Sequence, residues 1–466
     1  MDDVDDMRAL ARSLRRLMEL SVHTMTEDAA QSDLARTVSG HLGCELPDVV
    51  PVSERFAIWE NVNVQRGVDA YLAARGSGDA WLGVPGAAHR PHEDLLGLIT
   101  TRGAYGRSGV AYATAAVGPG ENTEVVTLGL VVSTAPDGEP VVIGIRTDRD
   151  FGPASCRLEI LGSSRAAATA TRDEIERLIR ANDVFRGQVL SFGESEHYGN
   201  ELVNFLPRPA LADDDVVLPE GVLEAIERHI IGIADWSAEL LRSGQHVKRG
   251  LLLHGPPGTG KTHTVRYLTG RLTATTVILL TGNSIRFVDE AATLARRLQP
   301  AMVVLEDVDL IGVDRDFSAG GSPLLFALLD AMDGVGSDAD VTFVLTTNRA
   351  DILERALADR PGRVDLAIEI PRPDTGCRLR LLRLYARGLA VDGELAPVAE
   401  ATDGVTASFI KELIRRVVLQ SLRAGDSPPV LRRAYFDDVL AEMNAEHQAL
   451  TRSLLGSERR RYRRAE

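Results

Sequence analysis

Three cysteines occur in 466 residues, Cys44, Cys156 and Cys377, and they lie far apart in no metal-like spacing. Neither a secreted disulfide scaffold nor a cysteine zinc cluster can be built on them, so they read as reduced, buried thiols. No apolar run approaches the roughly 18 residues that a membrane-spanning helix needs. The longest sheet-like run, Val125 to Val132, is far shorter. Basic residues are outnumbered, 52 against 67 acidic ones, for a net charge of −15. That balance disfavours nucleic-acid binding, which usually needs a basic face. The first residues, MDDVDDM, put acids where a signal or transit peptide needs Lys or Arg. These absences are those of a protein of the reducing cytoplasm with no membrane span. No His-Glu-x-x-His occurs, and among the histidines only His89 and His92 sit close together, with no cysteine nearby. A zinc protease site and a histidine metal site are therefore not expected.

A length of 466 residues accommodates about three domains at roughly 150 residues each. In residues 1–44, Leu10, Leu14, Leu17, Met18 and Val22 recur at the spacing of one helix face. The stretch 45–204 predicts an α+β domain of unknown role. In it VVTLGLVV and VVIGIR flank the turn sequence APDGEP, a hairpin signal, and RLEIL supplies a third strand. TRDEIERLIRAN then predicts a helix with Thr171 as N-cap and Glu174 completing a capping box. Residues 205–215, FLPRPALADDD, carry two prolines and three consecutive acids and read as a linker. Beyond it the apolar runs LLLHG, TVILLTG, MVVLED and VTFVLTTN alternate with helical patterns. Near-continuous apolar strands separated by helices indicate a parallel sheet covered on both faces. The pattern predicts an α/β domain over 216–372, a purely helical subdomain over 373–450, and an Arg-rich tail over 451–466.

Gly255-Pro256-Pro257-Gly258-Thr259-Gly260-Lys261-Thr262 fits G-x-x-x-x-G-K-[ST] and lies between an apolar strand and a helical run. In that setting the glycines let backbone N–H groups turn towards phosphate oxygens, and the helix N-terminus adds its positive end. Lys261 would neutralise the β- and γ-phosphates of ATP, and the Thr262 hydroxyl would ligate Mg²⁺. His263 is counted with this nucleotide-binding stretch. Its ring, like that of His254, reads as packing or solvent-facing and not as catalytic.

MVVLEDVDL is a buried strand that ends in two carboxylates. One acid can hold the metal and the next can polarise the attacking water. We assign Glu306 to the metal with Thr262, Asp307 to the water, and no catalytic role to Asp309. VTFVLTTN ends at Asn348, whose amide can hold the lytic water or the γ-phosphate. Arg360 and Arg363 follow around a Pro-Gly turn, placed to reach a neighbouring subunit's γ-phosphate.

GPPGTGKT, VVLEDVD, LLFALLDAMDG, TTNRADILERALADRPGRVD and TDGVTASFIKEL occur in this order over residues 213–450. In this the chain resembles the AAA subfamily of AAA+ ATPases. The resemblance implies a P-loop NTPase sheet with a helical lid. It also implies ATP hydrolysis with Mg²⁺ in a homo-oligomeric ring, usually a hexamer, with Asn348 as first sensor and Arg360 and Arg363 as trans-acting fingers. Two features depart from the family pattern. Most members carry Asp then Glu at the acidic strand end, where this chain has Glu306 then Asp307. Most also carry an aromatic-hydrophobic-Gly pore loop. The interval TGNSIRFVDEAATLARRLQP lacks it, and Phe287, its only aromatic, reads as a helix or core residue. In both departures the ATPase module resembles the mitochondrial AAA chaperone that translocates the folded Rieske iron–sulfur protein. The expected function is remodelling or translocation of a protein client. The alternative is a nucleotide-gated signalling or defence module whose N-terminal domain binds an effector.

Overall fold

A computed structural model describes residues 33–76, 80–84, 94–102, 109–148, 154–193, 202–309, 330–336, 338–349 and 364–454, with residues 13, 15, 16, 78 and 328 besides. The chain divides into two compact units, Met1–Pro207 and Arg208–Glu466. The periodic leucines of residues 10–22, the His89–His92 pair and residues 455–466 of the Arg-rich tail lie outside the described residues.

In the first unit an antiparallel sheet runs in the order β1-β5-β4-β3-β2, with β1 Val50–Ala57, β2 Ala111–Gly118, β3 Glu121–Thr134, β4 Pro140–Asp148 and β5 Ser155–Gly162. The hairpin expected around APDGEP is β3–β4, and RLEIL lies in β5. Successive residues of β4 face opposite sides, and both sides are covered. Val141, Ile143 and Ile145 pack with Val64 and Val68 of α2 (Asn61–Arg75) and Ile175 and Ile179 of α4 (Arg165–Ala181). Val142 packs with Val38 of α1 (Asp33–Leu42) and Leu98 of α3 (Leu95–Arg102). α1 is thus part of this core and not a separate N-terminal element, and His41 ties it to the sheet at Ser133 O, 2.8 Å away.

The expected N-cap at Thr171 is corrected. α4 begins at Arg165, and its cap is Ser164, whose Oγ accepts from Ala167 N at 3.2 Å. Thr171 lies inside the helix, donates to Ala167 O and receives the Tyr71 hydroxyl, while Glu174 pairs with Arg177. The alanines between Ser164 and Thr171 favour helix without any polar–apolar contrast, so the periodicity starts later than the helix does. The expected linker 205–215 is corrected as well. Phe205 pairs within the hairpin of β6 (Val189–Phe192) and β7 (Val203–Leu206).

Glu159 on β5 is 2% exposed, and its Oε2 accepts Leu95 N at the start of α3 at 2.8 Å. Burial pushes its carboxyl above the ordinary range, opposed by that N–H and by Arg146 and Arg157. A raised folded-state value means that this side chain stabilises most below its unfolded value, and that the contribution is lost as pH rises through the folded one. Glu159→Gln keeps an acceptor without the charge. Its Tm is expected to gain on the native protein between pH 5 and pH 8, by about 2–4 °C per kcal/mol relieved. Thermal unfolding at the two pH values checks this; a gap that narrows with pH would contradict it.

The second unit holds α5 (Val222–Asp235), α6 (Ser237–Arg242) and a set of parallel strands. These are β8 (Arg249–His254), β9 (Thr276–Thr281), β10 (Ala301–Glu306), β11 (Val341–Thr347) and β12 (Leu366–Glu369). Within the unit they run β12-β8-β11-β10-β9. Their apolar residues are buried on both faces, as continuous rather than alternating runs require. α7 (Lys261–Arg271) follows β8, and α8 (Val288–Arg297) follows β9. His254 is level with Thr347, and Leu305 with Leu345, so the loops after β8, β10 and β11 leave the same edge side by side.

The region beyond Asp374 is not purely helical, as the sequence pattern had it. α9 (Thr375–Tyr385), α10 (Ala396–Ala401), α11 (Ala407–Arg423) and α12 (Arg433–Leu454) enclose Leu382, Ile410, Leu413, Val417 and Phe436. Two three-residue strands, β13 (Ala390–Asp392) and β14 (Val430–Arg432), pair in parallel between them. They are too short to leave a period-two signature.

Residues 208–218 form a bound strap. The Arg208 guanidinium donates to Leu272 O and Thr275 O, each at 2.9 Å, and to Thr269 O near the end of α7. His263 contacts Asp215 O at 2.9 Å, and Arg387 donates to Asp215 Oδ1 at 2.6 Å. Arg380 of α9 donates to Leu218 O. No helix among the described residues is long and apolar enough to cross a membrane.

Candidate nucleotide site

The loop after β8 turns through left-handed backbone at Gly255 (φ 138°) and Gly258 (φ 77°). A Cβ at Gly255 would lie 2.3 Å from Ile370 O, and one at Gly258 would lie 3.0 Å from Ser408 Oγ. Both positions require glycine, by conformation and by space. Thr259 Oγ1 donates to Pro256 O at 2.9 Å and closes the loop on itself. Ser408 N, at the start of α11, donates to Gly258 O at 3.1 Å.

Lys261 opens α7 and is 6% exposed. Its ammonium donates to Gly255 O at 2.7 Å, to Pro256 O at 2.9 Å and to Asn348 Oδ1 at 2.8 Å. Burial lowers its pKa, opposed by Asp307 and Asp309. Lysine is scarce in this chain. Lys248, Lys261 and Lys411 are the only three, so 49 of the 52 basic residues are arginine. An ammonium here, in so arginine-rich a chain, fits a narrow site that takes a compact point charge and not a planar fork.

Asn348 ends β11 and links the lysine to the acids, since its Nδ2 donates to Asp307 Oδ1 at 3.2 Å. Asp309, 8% exposed, accepts from Thr347 Oγ1 at 2.9 Å and from Asn348 N at 3.0 Å, and so fixes the end of β11. Burial raises the pKa of Glu306, an effect opposed by the neighbouring Thr262 hydroxyl and by Arg266 and increased by Asp307. A cavity of about 350 Å³ is lined by Gly258, Lys261, Thr262, Asp307, Asn348 and Ser408, with His263 and Arg266 at its wall.

The donors fit a magnesium triphosphate. The three oxygens that converge on the ammonium occupy the directions from which phosphate oxygens would approach it. A carboxylate joined to a hydroxyl is a hard-oxygen pair suited to Mg²⁺. Of the residues expected from sequence, Pro257, Gly258, Gly260 to His263, Asp307 and Asn348 line this cavity, Gly255 and Pro256 bond the Lys261 ammonium, Thr259 bonds Pro256, and Glu306 neighbours Thr262. Arg360 and Arg363 lie outside the described residues.

The segment 251–372 matches the model of the ATPase family associated with various cellular activities, AAA. This span includes the phosphate loop, the acidic strand end and Asn348. It is similar to an AAA ATPase domain.

Among curated proteins, an ATP-dependent zinc metalloprotease FtsH of Cutibacterium acnes is 31% identical over 291 residues, 59% of this chain and 39% of its own. The 26S proteasome regulatory subunit 10B homolog A of Arabidopsis thaliana is 32% identical over 200 residues, 40% of this chain and 50% of its own. A proteasome-activating nucleotidase of Methanosphaerula palustris is 33% identical over 198 residues, 39% of this chain and 48% of its own. The chain thus spans half or less of the length of these relatives.

Sequence reasoning missed Thr346, Arg266 and Ser408 around this site. Asp309, given no catalytic role from the sequence, holds the end of β11. For Ser408 no local signal existed, since it comes from α11, far along the chain.

Proposed function

We propose that the chain hydrolyses ATP as a subunit of a homo-oligomeric AAA ring, with sites completed by neighbouring subunits, and uses the energy to remodel or translocate a protein client. One observation carries the reading. Lys261, Asn348 and Asp307 are joined by hydrogen bonds in a single cavity that Thr262, a neighbour of Glu306, also lines. Lys261 would bind the β- and γ-phosphates, and the backbone N–H groups of the loop would orient them. Thr262 and Glu306 would hold Mg²⁺, which when bound offsets phosphate charge. Asp307 would take proton density from the attacking water, with Asn348 fixing the direction of attack. Relatives named as an ATP-dependent zinc metalloprotease, a 26S proteasome regulatory subunit and a proteasome-activating nucleotidase support a protein client.

A folded client, like that of the Rieske-protein chaperone, is favoured within this reading. Residues Gly282–Phe287 form a tight 3₁₀ turn, and Phe287 is half-buried with the Arg286 guanidinium 4.7 Å from its ring centre. A ring so covered is poorly placed to grip an extended chain.

The test of the shared site is Arg363→Ala. Turnover in the assembled protein is expected to fall by about 10³-fold, the usual scale for an arginine finger. ATP affinity of the isolated subunit is expected to stay native. Full turnover by a dilute, monomeric native protein would reject site sharing.

A further inference from the structure

Asp307 is one of two non-glycine residues with positive φ among the described residues, at 52°. Its place in the sheet explains how that backbone is held. The ladder between β10 and β11 is regular as far as Leu305 and Leu345. Two residues past Leu305, the Asp307 N–H leaves the ladder and donates to the side-chain oxygen of Thr346, at 3.0 Å. Thr346 is fully buried on β11. A fixed hydroxyl therefore stands where a strand carbonyl would continue the sheet. It bends the chain into the left-handed region, which aspartate tolerates better than most residues.

That turn has a consequence for the acid. Asp307 reaches the cavity with a side chain one methylene shorter than a glutamate's, so it depends on its backbone to aim it. Aimed as it is, its Oδ1 meets Asn348 Nδ2 at 3.2 Å and lines the cavity. Asn348 is held separately, by Asp309 and Lys261. The two supports are distinct: Thr346 serves the acid, and Asp309 serves the amide.

We propose that Thr346 is a positioning residue for hydrolysis, whose buried hydroxyl sets the left-handed backbone at Asp307 and so directs the short carboxylate into the phosphate cavity. The inference rests on the proposed role of Asp307 in activating water.

The experiment compares Thr346→Val, which keeps the shape and removes the hydroxyl, with Thr346→Ser, which keeps the hydroxyl. It uses the full chain and reads ATP turnover, KM for ATP and affinity for a non-hydrolysable ATP analogue. Thr346→Val is expected to lower kcat by about 10- to 100-fold, the scale of a misplacement near 1 Å. Its KM and analogue affinity are expected to stay within about threefold, because Lys261 and Asn348 are held independently. Thr346→Ser is expected to recover most of the lost rate. In an Asp307→Asn background Thr346→Val is expected to cost little more, as for two residues that act as one unit. A native kcat in Thr346→Val would overturn the inference. So would equal losses of kcat, analogue affinity and Tm in both variants, which would mark a packing role. If Asp307→Asn alone turns over at the native rate, the proposed function of Asp307 falls and this inference with it. If Asp307→Asn is slow while Thr346→Val is native, only this inference falls.

Discussion

Asp307→Asn is expected to bind ATP as tightly as the native protein and to hydrolyse it at least about 100-fold more slowly, the scale at which removing one well-placed polar group slows an enzyme. The substitution isolates the charge. Asparagine tolerates the left-handed backbone at least as well as aspartate, so the φ of 52° can persist. Its amide oxygen can still accept from Asn348, now at 3.2 Å from the aspartate. What disappears is the negative charge that draws a proton from water. Single-turnover hydrolysis together with nucleotide affinity separates the two effects, and unchanged turnover would reject the assignment. A variant that holds ATP is also the right bait for a client, because it stays in the nucleotide-bound state.

Lys261→Ala carries the second large effect. In the native chain three oxygens converge on this ammonium at 2.7 to 2.9 Å. Alanine leaves Gly255 O, Pro256 O and Asn348 Oδ1 facing one another with no cation. It also removes the charge that two phosphates would share. Charge-assisted hydrogen bonds contribute about 1.5–3 kcal/mol each, so losing two of them costs roughly 3–6 kcal/mol. ATP affinity is therefore expected to drop by at least about 100-fold, at 1.4 kcal/mol per factor of ten. Calorimetric titration with ATP checks this, and retained tight binding would overturn the phosphate-loop reading. Lys261→Arg is expected to restore little, since a guanidinium needs a wider seat than a cavity wall 6% exposed provides.

Residues that act through a local motif were readable before any coordinates. Gly255 to Thr262 must be contiguous, because backbone N–H groups from one loop make the cradle. Glu306, Asp307 and Asn348 were readable because strands of a parallel sheet deliver their last residues to one edge. Other features depend on partners distant in sequence. Thr346 looks like any strand threonine until β10 lies beside it and Asp307 N reaches its hydroxyl. Arg208 sits in a Pro-rich stretch with the composition of a linker, yet it bonds carbonyls at and just beyond the end of α7. Ser164 was not legible as a cap because the alanine-rich turn after it carries no polar–apolar contrast, whereas Thr171 precedes a dense run of charges. The short strands β13 and β14 were missed because three residues cannot declare a period. In the first unit the hairpin was legible from its turn, but nothing local announces that β4 is central and covered on both faces.

The strap 208–218 has little slack. Near its start Arg208 is fastened to the end of α7, His263 beside the phosphate loop meets its middle, and Arg387 and Arg380 fasten the rest to the helical region. A rotation of that helical region against the sheet would therefore load this strip of backbone as well as the short segment between Glu369 and Thr375 that joins the two covalently. Arg208 is also where the second compact unit begins. A movement of the helical region driven from the phosphate site would reach that boundary as pull along the polypeptide, much as a crank turns rotation into a stroke.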